Sequence, residues 1–429
     1  MNSASLADVS PATAPTLGRS SGFYQRRVLR LLDGFKQGAL EMVLPAGEVL
    51  RFGSGASVEA RILVLDPRFF RRVVLYGNVG FGESYMAGEW ESPDLCAVIS
   101  WMIQNIHAQQ GQRASSFHLP GLNLLRGWNL MLHWLRPNTL KTSRRNISEH
   151  YDLGNEFYQL WLDRGMSYSA AKFSHARQSL EEAQDAKYEA LCQKLHLRPG
   201  HEVLEIGCGW GGFAVHAARH HGVRVKAVTI SREQYDYARA RVAREGLQDQ
   251  VEIVLEDYRR VCGSFDRIAS IEMLEAVGDA FVDVFFAKVD ELLKPQGILA
   301  FQVITVPDGR YERLRRGVDW IQRHIFPGSL LMSQARLTLA MKRAGDFNLL
   351  ALEDLACGYA RTLNLWQRRF EAALGEVRAL GFDEVFVRKW NFYLKYCEAA
   401  FATRNISVIQ AAYTRSNNSE LHQLMGTAA

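Results

Sequence analysis

From about residue 200 onward, short apolar runs alternate with longer amphipathic ones, and this alternation restricts the chain more than any other feature. The apolar runs are EVLEIGC (202–208), VRVKAVTI (223–230), VEIVLED (251–257), FDRIASIEM (265–273) and GILAFQVI (297–304). Between them lie GFAVHAARHH (212–221), REQYDYARARVAREG (232–246) and FVDVFFAKVDELL (281–293), with helical spacing of their apolar residues. Strands that take turns with helices predict a doubly wound α/β fold: a parallel sheet with helices on both faces.

The first of these strands runs into Glu205-Ile206-Gly207-Cys208-Gly209-Trp210-Gly211-Gly212 and then a helix. Glycines there permit a tight turn and a close backbone approach to a ligand at the strand's carboxyl end. Such a loop alone fits a dinucleotide fold or a methyltransferase fold equally well. Glu205 two residues before Gly207 matches an ExGxGxG pattern. The second strand ends in Thr229-Ile230-Ser231, then Gln234, without the acidic residue that an NAD site places there. The third ends in Glu256-Asp257-Tyr258. Asp257 can accept from an adenine amino group with Tyr258 over the ring, or it can cap a helix. The fourth ends in IEMLEAVG (271–278), which aims Glu272 and Glu275 at the same sheet edge. Of these two, Glu272 reads as a structural carboxylate rather than a second base.

The chain's 429 residues suffice for two or three domains without covalent staples. Its six cysteines are scattered, with no CxxC pair and no His/Cys cluster at ligand spacing, so neither a disulfide framework nor a metal site is expected. A net charge of +5 does not mark a nucleic-acid binder but suits a visitor to an anionic surface. No secretory h-region and no apolar run of membrane-spanning length is visible.

Residues 1–21, rich in Ser, Ala, Thr and Pro, read as a disordered tail. Residues 22–106 read as a small α+β unit. Its expected strands are EVLRFG, ASVEARILVL and VVLYGNVG, with turns at Gly53-Ser54-Gly55 and Gly77-Asn78 and a helix from Leu95. Residues 107–146 carry LNLLRGWNLMLHWLRP with a basic flank, read either as a membrane-facing amphipathic segment or as a packed linker helix. Residues 147–429 hold the alternating pattern. The run GRYERLRR (309–316) reads first as a solvated helix face and second as a headgroup contact.

Several segments go beyond the generic fold: GFGESYM with GEW (80–90), HYDLGN with FY (150–158), MSYS (166–169), LEEAQ with Lys187, VLEIGCGWGG, VTIS with Gln234, IFPG (325–328), YARTL with Trp366, and CEAAF (397–401). In these the chain resembles the cyclopropane-fatty-acyl-phospholipid synthases, which are similar to the mycolic acid cyclopropane synthases, from about Pro67 to about Gln410. The resemblance implies a class I methyltransferase (Rossmann-like) domain preceded by a smaller lipid-associated α+β domain. It implies S-adenosylmethionine as cofactor, contacted by Tyr168, Ser169, Gly207, Gly209, Thr229, Ile230, Gln234, Asp257 and Tyr258. It implies a membrane phospholipid with an unsaturated acyl chain as partner, reached peripherally from the cytosolic face, and assembly as a homodimer. In the family a bicarbonate, held by a Cys backbone region, a Glu, a His and a Tyr, removes the proton that lets the ring close. Those positions are Ala170, Glu275, Gln302 and Tyr359, so the Cys and the His are replaced. Ala keeps the backbone N–H, and Gln can donate a hydrogen bond but cannot shuttle a proton. With a working base the expected product is a cyclopropane; without one, a methyl-branched or methylene chain. A small-molecule N-methyltransferase and a lipid-binding protein without catalysis are the competing readings.

Overall fold

The computed structural model describes residues 22–110 and 153–421. The expected tail, nearly all of the linker and the HYD part of the HYDLGN segment lie outside the described residues. Two compact units are present, one within residues 1–126 and one within 127–429.

In the N-terminal unit, strands β1 (Ala39–Val43), β2 (Val49–Gly53), β3 (Ala60–Val64) and β4 (Trp90–Glu91) form a sheet in the order β2-β1-β3-β4. The expected strand over 73–80 is instead the end of one helix, Arg68–Tyr76, and the start of another, Asn78–Met86. Val73 and Val74 fall one turn after Phe69 and Phe70, and all four are buried, so helical spacing of the apolar face overrides the β preference of the valines. Gly77, at φ +60, makes the break between the helices. The GFGESYM segment packs this unit. Trp90 is fully buried against Phe81 and Tyr85 and donates through Nε1 to Ser84 Oγ. A Cβ on Gly80 would lie 2.1 Å from the Arg72 carbonyl, so only glycine lets the two helices meet.

In the C-terminal unit all five expected strands form: β5 (Glu202–Ile206), β6 (Arg224–Thr229), β7 (Val251–Leu255), β8 (Phe265–Ile271) and β9 (Leu293–Thr305). Two strands that alternation did not announce, β10 (Phe347–Asp354) and β11 (Ser407–Arg415), complete a seven-stranded sheet in the order β10-β11-β9-β8-β5-β6-β7. Strand β11 runs antiparallel between β9 and β10. Strands β5 to β9 pair in parallel, and the central strands β5 and β8 are largely buried along their length, as a helix-covered sheet requires. Two apolar cores fill the two faces. One gathers Phe285, Phe286 and Val289 with Leu337 and Met341, and the other Leu191, Phe213, Ala217 and Val242.

Strand β5 pairs with β6 on one side and β8 on the other. Crossovers leave in opposite directions from this point, which opens a crevice at the carboxyl ends of the strands. Between β10 and β11 the chain inserts two long helices, Ala356–Ala372 and Glu384–Ala402, which pack on each other.

Candidate active site

The glycine loop leaves β5 with Gly207, Gly209 and Gly211 all at positive φ. Gly207 has no room for a side chain, since a Cβ would lie 2.6 Å from Met273 Cγ, whereas nothing lies within 4 Å of a Cβ built on Gly209. Open space beside Gly209, next to the start of the helix Gly212–His221, suits a ligand that comes close to the backbone. At the end of β6, Thr229 Oγ1 donates to Gln234 Oε1 at 2.8 Å and accepts from Ser231 N, with Ile230 half-buried between them. This fixes the Gln234 amide with its N–H₂ group unspent among the described residues, a donor suited to hydroxyl groups of a ligand.

Asp257 ends β7 as the helix-cap alternative has it: its carboxylate accepts Arg259 N and closes a two-point ion pair with the Arg259 guanidinium. Three of about four acceptor sites on that carboxylate are used, which leaves one for a ligand. Tyr258 packs edge-on against Phe285.

The segment 166–170 is tied to the helix Leu180–Lys194, whose first turn is held by a reciprocal Ser179/Glu182 cap. Gln184 Nε2 donates to the Ser169 carbonyl, and Lys187 Nζ donates to Ser169 Oγ at 2.8 Å. Lys187 is fully buried, and that burial pulls its ammonium down to about 8 against the attraction of Asp163, Glu272 and Glu205. Tyr168 sits among aromatic rings, with Trp366 at 5.4 Å, Phe326 at 6.2 Å and its hydroxyl 2.9 Å from that of Tyr393.

Ala170, Gln302 and Tyr359 do converge, but on Glu272. Ala170 N donates to Glu272 Oε1 at 2.8 Å, Gln302 Nε2 to the same oxygen at 2.7 Å, and Tyr359 Oη to Oε2 at 2.8 Å. Glu275 meets none of the three. It accepts from the backbone N–H of Ile304, and its Oε2 is buried with no partner among the described residues. Burial, reinforced by the Glu272 charge, pushes Glu275 up to about 8. Burial also raises Glu272, and its three donors oppose that rise. The expected bicarbonate pocket is therefore corrected: the donors that would hold the anion are already satisfied by a carboxylate of the chain, and a bicarbonate does not fit among them.

Residues 138–411 match the mycolic acid cyclopropane synthetase family. The chain belongs to that family. It is 38% identical over 359 residues to the tuberculostearic acid methyltransferase UfaA1 of Mycobacterium tuberculosis, covering 79% of each chain. It is 36% identical over 386 residues to the cyclopropane-fatty-acyl-phospholipid synthase of Escherichia coli, covering 89% of this chain and 94% of that one. Among solved structures, the cyclopropane synthase MmaA2 from Mycobacterium tuberculosis superposes with TM-score 0.59 at 29% identity, covering 63% of this chain and 98% of that one. The fold is that of the class I methyltransferases, and the chain is an S-adenosylmethionine-dependent methyltransferase.

From the sequence, Glu272 reads only as a structural carboxylate, Lys187 carries no role and Gln410 does not stand out. Gln302 faces Gln410 across the β9–β11 pair, and Gln410 Nε2 donates to Gln302 Oε1 at 3.0 Å. That bond decides which end of the Gln302 amide meets Glu272. The one sequence signal was the pair of carboxylates three apart at a strand end. Other expectations change as well. Cys192, on one helix, and His216 and His221, five residues apart on the next, bring their ligand atoms within 4.8 Å of one another, yet both imidazole Nε2 atoms lie against Glu189 Oε2, at 3.3 and 3.0 Å. In the basic run, Arg310 is buried and bonded to Asn405, while Arg315 and Arg316 pair with Glu312. Among the described residues no helix is long and apolar enough to cross a membrane.

Proposed function

We propose that this enzyme transfers a methyl group from S-adenosylmethionine to the double bond of an unsaturated acyl chain in a membrane phospholipid and closes a cyclopropane ring. The observation that carries the reading is the surrounding of residues 168–170. Tyr168 lies among Trp366, Phe326 and Tyr393, and two residues later Ala170 N–H binds the Glu272 carboxylate. An alkene is a poor nucleophile, so its reaction rests mostly on being held in line with the methyl group. When bound, the sulfonium supplies an electrophilic methyl. What the chain adds is an aromatic wall. The π faces of Tyr168, Tyr359 and Trp366 suit the positive charge that attack leaves on the acyl chain, and their apolar surface disfavours water beside it. Tyr168, Ser169, Gly207, Gly209, Thr229, Ile230 and Gln234 hold the donor, with Asp257 and Tyr258 at the adenine. The named activity of the Escherichia coli relative supports phospholipid as the substrate class. The N-terminal unit serves lipid association, and the enzyme works peripherally at the cytosolic face of an anionic membrane, as a homodimer.

Donor carrying a CD₃ group, incubated with unsaturated phosphatidylethanolamine vesicles, tests this. The acyl product is expected to contain a ring that keeps two of the three deuteriums. An open chain with an unsaturated methyl branch that keeps all three, formed when the cation loses a proton from a neighbouring acyl carbon, refutes ring closure, and label confined to methylated amines refutes the lipid substrate.

A further inference from the structure

We propose that Glu272 is the base of this reaction, a carboxylate of the chain standing where a family member would hold an exogenous anion. The inference rests on the function proposed above. Its ground is geometric. Three donors from three separate segments, Ala170 N–H, Gln302 Nε2 and Tyr359 Oη, meet at one side chain within 2.7–2.8 Å. A carboxylate offers about four acceptor sites, and three are filled here, two on Oε1 and one on Oε2. The remaining site, on Oε2 beside the Tyr359 ring, is free to take a proton. Tyr359, which binds this oxygen, lies in turn 4.4 Å from Phe401 and 6.1 Å from Trp366, so the carboxylate is tied to the aromatic cluster through the tyrosine.

The backbone points the same way. Glu272 has φ +48, at a strand end where glycine would sit without strain. Left-handed backbone costs a residue with a Cβ about 1–2 kcal/mol and persists where the surroundings over-determine it. The carbonyl of Gln302 accepts Glu272 N at 2.8 Å, and Gln410 sets the Gln302 amide, so both main chain and side chain are fixed. The charge is balanced too. Lys187 is the buried cation that attracts Glu272, while burial and the Glu272 charge raise Glu275 and so disfavour a second negative charge at the site.

The step balances as follows. The alkene π pair forms the bond to the methyl carbon, and the S–CH₃ pair goes to sulfur, which leaves S-adenosylhomocysteine and a cation on the neighbouring acyl carbon. Glu272 Oε2 removes one proton from the new methyl. The freed C–H pair bonds the methyl carbon to the cationic carbon and closes the ring, and Glu272 becomes a neutral acid that returns its proton to water before the next turnover. No imidazole shuttle is needed, which accounts for Gln at 302.

The test measures ring formation on unsaturated phosphatidylethanolamine vesicles in CO₂-scrubbed buffer and with added bicarbonate, for the wild type, Glu272→Gln and Glu272→Gly. S-Adenosylhomocysteine calorimetry on each protein shows that it is folded. The wild-type rate is expected to be indifferent to bicarbonate. Glu272→Gln should lose at least about a hundredfold in kcat, the scale of a general base, with ligand affinity kept. Glu272→Gly, which relieves the strain and vacates the three donors, should be as slow in scrubbed buffer and regain at least about tenfold with bicarbonate, a rescue that the filled Gln variant should not show. A wild type that slows on scrubbing and recovers with bicarbonate overturns the assignment while leaving the function standing. Glu272→Gln turning over at the full rate does the same. A wild type that puts no label into lipid overturns the function, and this inference with it.

Discussion

Two carboxylates three residues apart occupy one strand end; burial raises both, but their partners differ. Glu272 has three donors and a buried lysine nearby; Glu275 has one backbone N–H and an unpartnered oxygen. The consequence for Glu275 is a measurable pH dependence. Its folded value of about 8 lies above the unfolded 4.5, so its contribution is intact below pH 4.5 and is lost as pH rises through about 8. Lys187, pulled down to about 8 from 10.5, acts in the opposite sense but only above that window. Glu275→Gln cannot ionise, so near pH 8 it should be more stable than the wild type by on the order of a few kcal/mol, with little difference near pH 5. Thermal melts across that range check this, and a gain that does not grow with pH counts against the assignment. Gln302 positions Glu272 rather than reacting. Gln302→Leu removes one donor from the charged carboxylate, so the acid limb of kcat/KM should move to higher pH and the rate at pH 7 should fall about tenfold, for a lost charge-assisted bond of about 1.5–3 kcal/mol. An unmoved acid limb would contradict that role.

At the scale of elements, the glycine loop separates two kinds of glycine that look alike in sequence. Gly207 is needed by the fold. With φ +83 and a Cβ that would lie 2.6 Å from Met273, Gly207→Ala should cost roughly 1–3 kcal/mol of stability, read from denaturant melts. Gly209, at φ +52, has open space around it, where the proposed donor would approach the backbone. Gly209→Ala should cost about 1 kcal/mol of stability yet weaken donor binding at least about tenfold by calorimetry. Equal losses in both assays for both variants would remove the distinction. Alternation in the sequence announced β5 to β9 because parallel strands covered on both faces are nearly continuous apolar runs. It did not announce β11, whose register sets Gln410 against Gln302, because nothing local in Ser407–Arg415 states which strand it will join. The helix at 73–76 was misread for a related reason, since a short apolar run of valines has no period of its own.

For the molecule as a whole, the excess of five positive charges on 429 residues predicts an electrostatic share in lipid approach. Sedimentation with vesicles rich in anionic lipid should show binding that falls severalfold between about 0.05 and 0.5 M salt, as the Debye length shrinks to a few ångströms. Salt-insensitive binding would argue for apolar insertion alone. The sequence by itself determined the class of fold and the place of the glycine loop at the end of the first strand, because strand periodicity and a glycine loop are local properties that neighbouring residues impose on one another. Only the tertiary structure decided which carboxylate meets the three donors. Ala170, Glu272, Gln302, Tyr359 and Gln410 lie in separate segments, and their meeting depends on strand order, register and a left-handed residue at 272. Burial and hydrogen bonding set a group's protonation, and both are properties of the assembled site, which no single segment of the chain encodes.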